Sequence, residues 1–278
     1  MKRRPSVRVP EIAVTGGARR KGQRIVPEET PVALTYNRLS HAVMMATPAD
    51  LEDFAVGFSL AERIVDRADE IEQLEVVQRD IGIELRMWIG KDRIDLYSDR
   101  RRNLAGPTGC GLCGMESLEE TVRAAPQVSA SLTVTPDVIS DAVAAMPPGQ
   151  KLNHETRAVH AAAFWMPGRG IVALREDVGR HNALDKLAGA LARQGVAGSG
   201  GIVLLTSRVS VEMVQKTAII GAGVLVAVSA PTALAIRTAE AAGITLIAVA
   251  RGRDFEIFTH PGRIAPNKIK DAEARHVA

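Results

Sequence analysis

Three short apolar runs in the C-terminal half, Gly201–Thr206, Val224–Val228 and Ile244–Val249, constrain the fold of this chain more than any other feature. Each is apolar at consecutive positions rather than alternate ones, so both faces of the strand it forms need covering. The segments between them, Ser210–Ile220 and Thr232–Ala242, have helical length. Strand–helix–strand units of this kind cross over right-handedly and lay their strands parallel. Ile171–Leu174 adds a strand before a helix starting near Gly179, and Phe255–Thr259 reads as an edge strand. The expectation is an α/β three-layer domain, a mostly parallel sheet with helices on both faces.

The N-terminal part is patterned differently. Glu28–Tyr36 and His41–Met45 read as a hairpin turned by Asn37-Arg38-Leu39-Ser40. Thr47 reads as an N-cap, with Pro48 at the tolerated first position and Asp50 facing the positive end of the dipole. Leu51, Phe54, Ala55, Phe58 and Ala61 recur at three- and four-residue spacing, so the helix that follows buries one face. Strands are expected over Leu74–Gln78 and Ile81–Ile89, with a charged strand over Arg93–Tyr97. This predicts a small α+β domain over 25–97, a Gly-rich linker over 98–125, the α/β domain over 126–265 and a tail over 266–278. Residues 1–24 hold eight basic residues against Glu11 alone, in a chain whose net charge is +3. With Pro5, Pro10, Gly16 and Gly17 among them, they read as a basic flexible arm.

Apolar residues make up 46% of the 278 positions and charged ones 24%, which suits one large globular domain or two modest ones and excludes collagen, a disordered tail protein or a disulfide miniprotein. Aromatics are scarce, at 3%, which counts mildly against a single-stranded nucleic-acid binder, since such proteins usually offer stacked aromatic platforms. No apolar segment follows Arg3-Arg4, so export is not expected, and runs such as Gly223–Val228 are far shorter than a membrane span. The expected compartment is the cytoplasm, where thiols stay reduced and paired cysteines serve chemistry rather than stapling.

The two cysteines, Cys110 and Cys113, lie in "GPTGCGLCG". Zinc needs four ligands, and neither a second CxxC nor a His pair of finger spacing exists. A zinc deaminase needs His-x-Glu upstream of Pro-Cys-x-x-Cys, and no such triplet is present. A thioredoxin-type pair opens a helix, whereas these thiols sit among Gly106, Gly109, Gly111 and Gly114. A thiol in such a mobile loop suits a group carrier. The residue pattern leaves the two thiols equivalent.

Two further features fall at strand ends, where open α/β sheets bind ligands. "REDVGRHNALDK" (175–186) puts His181 and Asp185 four apart on one helix face. It serves either in ligand positioning or proton transfer, or as an N-terminal capping network of Asp177, His181 and Lys186. "TSRVSVEM", "SAPTALA" and "ARGRD" follow three strands and supply hydroxyls, glycine and arginine. Facing helix N-termini, they suit phosphate, with Arg208, Ser229, Thr232, Arg251 and Arg253 as candidate contacts. Ser229 and Thr232 also read as caps, and Glu212 with Lys216 as an i,i+4 surface pair. No Walker loop or GxGxxG occurs, which argues against an ATPase or a dehydrogenase.

Together, "HAVMMATPADLEDFAVGFSLAERIV" (41–65), "TGCGLCG" (108–114), "HAAAFW" (160–165), "EDVGRHNALDK" (176–186), "SRVSVEMVQK" (207–216), "VSAPTALA" (228–235) and "TLIAVARG…FTHP" (245–261) resemble the FdhD family of sulfur carriers that mature formate dehydrogenase. The resemblance implies that sulfur is accepted from a cysteine desulfurase as a persulfide. It is then passed to the molybdenum bis(molybdopterin guanine dinucleotide) cofactor before insertion into formate dehydrogenase. It implies Cys110 as carrier, Cys113 assisting or resolving, and a guanine dinucleotide site at Val249, Ala250, Arg251, Gly252, Arg253 and Asp254. It also implies a homodimer and a cytidine-deaminase-like C-terminal domain without zinc ligands. One block departs: the family usually has Thr-Gly-Gly or a close variant before the histidine matching His160, whereas this chain reads "TRAVH" (156–160). Competing readings are a cofactor-binding chaperone without sulfur transfer and a CxxC thiol–disulfide oxidoreductase.

Overall fold

The computed structural model describes residues 3–94 and 124–266. It is a mixed α/β protein with three sheets. Strands β1 (Ser6–Thr15) and β2 (Ala18–Pro27) pair antiparallel in unbroken register, turned by Gly16 and Gly17, both at positive φ. Two central residues of that kind match the twist of a tight hairpin. The stretch expected to be a flexible arm is therefore ordered. Its glycines are the turn, and Val7, Val9, Ile12 and Val14 supply strand propensity that the charge obscured. The hairpin is fastened at its base: Ser6 Oγ donates to Glu155 (3.3 Å) and Arg3 to the Asp80 carbonyl (2.8 Å).

The second sheet holds β3 (Thr30–Tyr36), β4 (Leu39–Ala46), β5 (Ile71–Arg79) and β6 (Gly82–Ile89) in the order β4-β3-β6-β5. Only β3/β6 is parallel, because helix α1 (Leu51–Ala61) lies in the connection between them. Alternate residues Val32, Leu34, Tyr36, Ile83, Leu85, Met87 and Ile89 pack against Phe54, Ala55 and Phe58 of α1. Two local expectations fail. Asp50, at φ 53°, is the N-cap of α1, while Thr47 uses its hydroxyl elsewhere. Arg93 and Ile94 form a helical turn, their amides bonding back to the Gly90 carbonyl, instead of opening a charged strand. Arg93 is held there by Asp66 and by Glu70 at 2.9 Å.

The third sheet follows α2 (Pro136–Ala144) and the short α3 (Met146–Gly149) and α4 (Lys151–Thr156). Its strands are β7 (His160–Met166), β8 (Gly170–Asp177), β9 (Ile202–Leu205), β10 (Val224–Ala227), β11 (Thr245–Arg251) and β12 (Asp254–Ile257), in the order β12-β11-β10-β9-β7-β8. Helices α5 (Arg180–Arg193), α6 (Val211–Ile220) and α7 (Ala233–Ala242) cover one face and α2 and α3 the other, each over its own apolar cluster. Of the two residues read as caps, Thr232 is the N-cap of α7 and Ser229 lies before it in the β10–α7 connection, while Ser210 takes the N-cap position of α6 without a side-chain cap hydrogen bond. The sheet is less parallel than expected: only β9/β10 and β10/β11 run parallel. The tight turn through Gly168 and Gly170, both at positive φ, folds β8 back on β7, and β7 inserts antiparallel beside β9.

The two larger sheets meet through α1 and α5, which cross at a pair of glycines. A Cβ on Gly57 would stand 1.7 Å from the Asp185 carbonyl oxygen, and one on Gly189 1.9 Å from that of Asp53. No larger residue fits. Asp53 is clamped by Arg175 (2.7 Å) and Arg193 (2.5 Å), so the crossing carries a charge bridge as well as close packing.

Candidate functional site

Strands β8, β9, β10 and β11 run the same way, with β7 reversed, so one sheet edge collects the ends of four strands and the start of a fifth. That edge brings together His160, Asp177–His181, Thr206–Ser210, Val228–Thr232 and Val249–Arg253. Main-chain bonds tie it: Val209 N–H to the Ala230 carbonyl (3.2 Å), Thr232 N–H to that of Val209 (3.0 Å) and Val249 N–H to that of Ser229 (3.3 Å).

Most sequence-derived contact candidates lie on this edge. Val249 sits at φ 54° inside a β-bulge between Ala248 and Arg251. A β-branched residue in the left-handed region is sterically costly, and such strain concentrates at functional sites. Bulges also re-aim side chains. Ala250 is buried, whereas Arg251, Gly252, Arg253 and Asp254 are exposed around the β11–β12 turn, which Gly252 closes at φ 59°. Arg253 pairs with Asp137 at the start of α2. Arg208 is exposed at the end of β9, and Ser229 is half-buried. Thr232 caps α7, its hydroxyl oxygen accepting from Ala235 N–H at 3.2 Å. Cys110 and Cys113 lie outside the described residues.

A buried charge network beneath the edge was only partly legible in the sequence. Asp177 and Lys186 are both fully buried, 2.6 Å apart. Lys186 also donates to the Thr47 carbonyl (2.9 Å), and Asp177 accepts from Thr47 N–H (3.0 Å), Gly179 N–H (2.8 Å) and Asn182 Nδ2 (3.0 Å). Thr47 Oγ1 in turn accepts from Val178 N–H at 3.1 Å. The network thus fastens the β4–α1 connection to the β8–α5 turn, and its role is locking as much as capping.

Lys216 does not pair with Glu212 as expected. It reaches both oxygens of buried Asp185 at 2.6 Å, and burial pushes that carboxyl up against the pull of Lys216. The expectation considered one helix, whereas the partner lies on α5. Glu212 instead accepts from Ser210 Oγ (2.5 Å) and stands 3.5 Å from His181 Nε2, near enough for an ion pair but long for a hydrogen bond. Burial, then Arg180 and Lys216, hold His181 below the ordinary imidazole value, with Glu212 pulling the other way. Burial, then Arg180, lower His160 as well, which puts the Arg180 charge beside both rings. Among the described residues no group of three or more His, Cys, Asp or Glu is placed to hold a metal, and no helix is long and apolar enough to cross a membrane.

Fold and edge define a mixed α/β protein with a cationic strand-end site, joined to a smaller α/β unit by a glycine crossing. The chain belongs to the FdhD/NarQ family, whose model matches residues 27–265. It is 55% identical over 258 residues to the sulfur carrier protein FdhD of Agrobacterium fabrum, covering 92% of this chain and 95% of that one. The sulfur carrier protein FdhD of Cupriavidus necator is also 55% identical, over 240 residues, covering 86% and 83%. A crystal structure from Desulfotalea psychrophila, described as a candidate formate dehydrogenase accessory protein, superposes with TM-score 0.74 at 26% identity, covering 94% of this chain and 99% of that one.

Proposed function

We propose that this protein is a sulfur carrier that serves formate dehydrogenase. The observation that carries the reading is the 55% identity to sulfur carrier proteins across nearly the whole chain, with Cys110 and Cys113 inside the matched residues. In this reading the Cys110 thiolate attacks the sulfane sulfur of a cysteine desulfurase persulfide. A new S–S bond forms at Cys110 while the donor's S–S bond breaks, and the donor cysteine leaves as a thiolate. Attack by the Cys113 thiolate on the Cys110 sulfur then closes a disulfide and releases the outer sulfur as hydrosulfide for the molybdenum of the cofactor. The two cysteines supply the two electrons, and a dithiol reductant resets the pair.

The cofactor, a bis(molybdopterin guanine dinucleotide), is cargo. The bulge at Val249 and the exposed Arg251–Asp254 turn support a dinucleotide contact there, since strained backbone and arginine suit pyrophosphate. Arg208 and Ser229 belong to the same surface in this reading, while Thr232 contributes as the cap of α7. Work in the cytoplasm, a homodimeric state and a cytidine-deaminase-like fold for the C-terminal unit belong to the same proposal.

The test is maturation of formate dehydrogenase in cells lacking the native carrier. The wild-type chain restores activity and the Cys110→Ala, Cys113→Ala double variant does not. Full activity with the double variant would make the protein a cofactor chaperone and overturn sulfur transfer.

A further inference from the structure

The β1–β2 hairpin is a two-stranded sheet of its own, lying ahead of the stretch that the family model matches except for Pro27. Its anchors, Arg3, Ser6 and Arg24, which reaches the Thr156 carbonyl at 3.5 Å, all lie toward its base. A lone two-stranded hairpin is marginal in water, so the distal half invites a third strand. The register says which edge is open. Glu28 N–H donates to the Pro5 carbonyl (2.9 Å), and bonded and non-bonded pairs alternate from there along an antiparallel ladder. The pairs Pro10/Gln23, Ile12/Lys21 and Val14/Arg19 therefore turn their main-chain groups outward. On β1 this outer row is broken by Pro10, which has no N–H to offer. On β2 it is intact through Arg19, Lys21 and Gln23, all exposed. The side chains of Arg8, Arg19, Arg20 and Lys21 make no hydrogen bond or ion pair among the described residues.

We propose that the outer edge of β2 docks an acidic, extended segment of a partner protein, which adds to the hairpin as a third strand. Main-chain bonds to Arg19, Lys21 and Gln23 supply the pairing, and charge supplies the selectivity. Side chains of an added strand alternate between the two faces of the sheet. On one face they meet Arg19 and Lys21, and on the other Arg20 and Arg24, so carboxylates suit successive positions. A second copy of the hairpin is a poor occupant, because its own arginines and lysine would stand opposite these, and like charges facing across a ladder destabilise it. Nucleic acid suits the edge less well, since residues 3–27 contain no aromatic side chain on which a base could stack. Ile12 and Val14, 54% and 64% exposed on the face of Lys21 and Arg19, instead offer apolar contact to a peptide side chain. The docking edge does not depend on sulfur transfer.

The experiment is fluorescence anisotropy of the full chain with a labelled peptide of glutamate and valine, as long as β2. Its competitors are the same peptide N-methylated at alternate residues, an oligonucleotide of equal charge and phosphatidylglycerol vesicles. Wild type binds the peptide, more weakly as salt is raised. The Arg19→Glu, Lys21→Glu double variant loses about tenfold in affinity. Gln23→Pro, which removes one outward N–H without changing charge and matches Pro10 across the ladder, loses about fivefold. Arg237→Gln, exposed on α7, changes nothing. If Gln23→Pro unfolds the hairpin, the N-methylated peptide on wild type carries the comparison, with a loss of about tenfold expected. Absence of peptide binding, or equal binding by the charge-reversed variant, overturns the proposal. Equal binding of the N-methylated peptide would leave ionic contact without a third strand and overturns it too. Tighter binding of the oligonucleotide or the vesicles would assign the hairpin to nucleic acid or lipid instead.

Discussion

Gly57→Ala tests the joint between the two larger sheets. The added methyl would stand 1.7 Å from the Asp185 carbonyl oxygen, and ordinary contact begins at 3.4 Å, so α1 and α5 must part by about 1.7 Å. The obstructing atom is backbone on a helix packed against the sheet, so no side-chain rotation relieves it. Overpacking of this kind costs about 1–3 kcal/mol where side chains can adjust. Parting the helices also disturbs the Asp53 bridges to Arg175 and Arg193 and the bond from Lys186 to Thr47. Alanine's helix propensity returns about 1 kcal/mol. The net expectation is a loss of about 3 kcal/mol, equivalent to a fall in Tm of roughly 6–12 °C for a chain of this size. Thermal unfolding followed by circular dichroism reads it, with urea denaturation as a check. Gly189→Ala opens the same gap from the other side, so the double variant loses less than the two single losses combined. A Gly57→Ala protein as stable as wild type, or more stable, would refute the glycine crossing.

Lys186→Met leaves Asp177 buried without its cation and is expected to cost about 3–5 kcal/mol in urea denaturation, with part of the loss recovered on adding Asp177→Asn. His160 and His181 have folded pKa values below 6.5, so the unfolded chain binds more protons as pH drops. Their stabilising contribution is present above pH 6.5 and is lost as pH falls toward the folded values; the urea midpoint therefore declines over that window, and declines less in His181→Gln. Val14→Lys, on the exposed face of the hairpin, is expected to change stability by less than about 0.5 kcal/mol, since Val14 is 64% exposed and packs against nothing that its loss would unseat.

Signals confined to one segment were readable from sequence. The runs at Ile202–Leu205, Val224–Ala227 and Thr245–Arg251 became central strands because continuous apolarity demands cover on both faces. What was missed depends on residues distant in the chain. Thr47 looked like a cap, but its hydroxyl is held by Val178, 131 positions away. Lys216 looked like a surface partner of Glu212 until α5 brought Asp185 beneath it. The basic hairpin was hidden because charge masked its strand propensity, and the antiparallel β7 was hidden because its neighbour β9 is not adjacent in sequence. On the strand-end site, residue types at 249–254 were legible, but the strained Val249 was not, since a bulge leaves no mark on composition.

The central claim, that this chain carries sulfur on a cysteine, is tested most directly by intact-protein mass spectrometry after incubation with a cysteine desulfurase and cysteine. The account predicts a gain of one sulfur that maps to Cys110, is removed by a reducing thiol and is absent from Cys110→Ala. No gain in the wild-type protein, or a gain that survives Cys110→Ala, would contradict it.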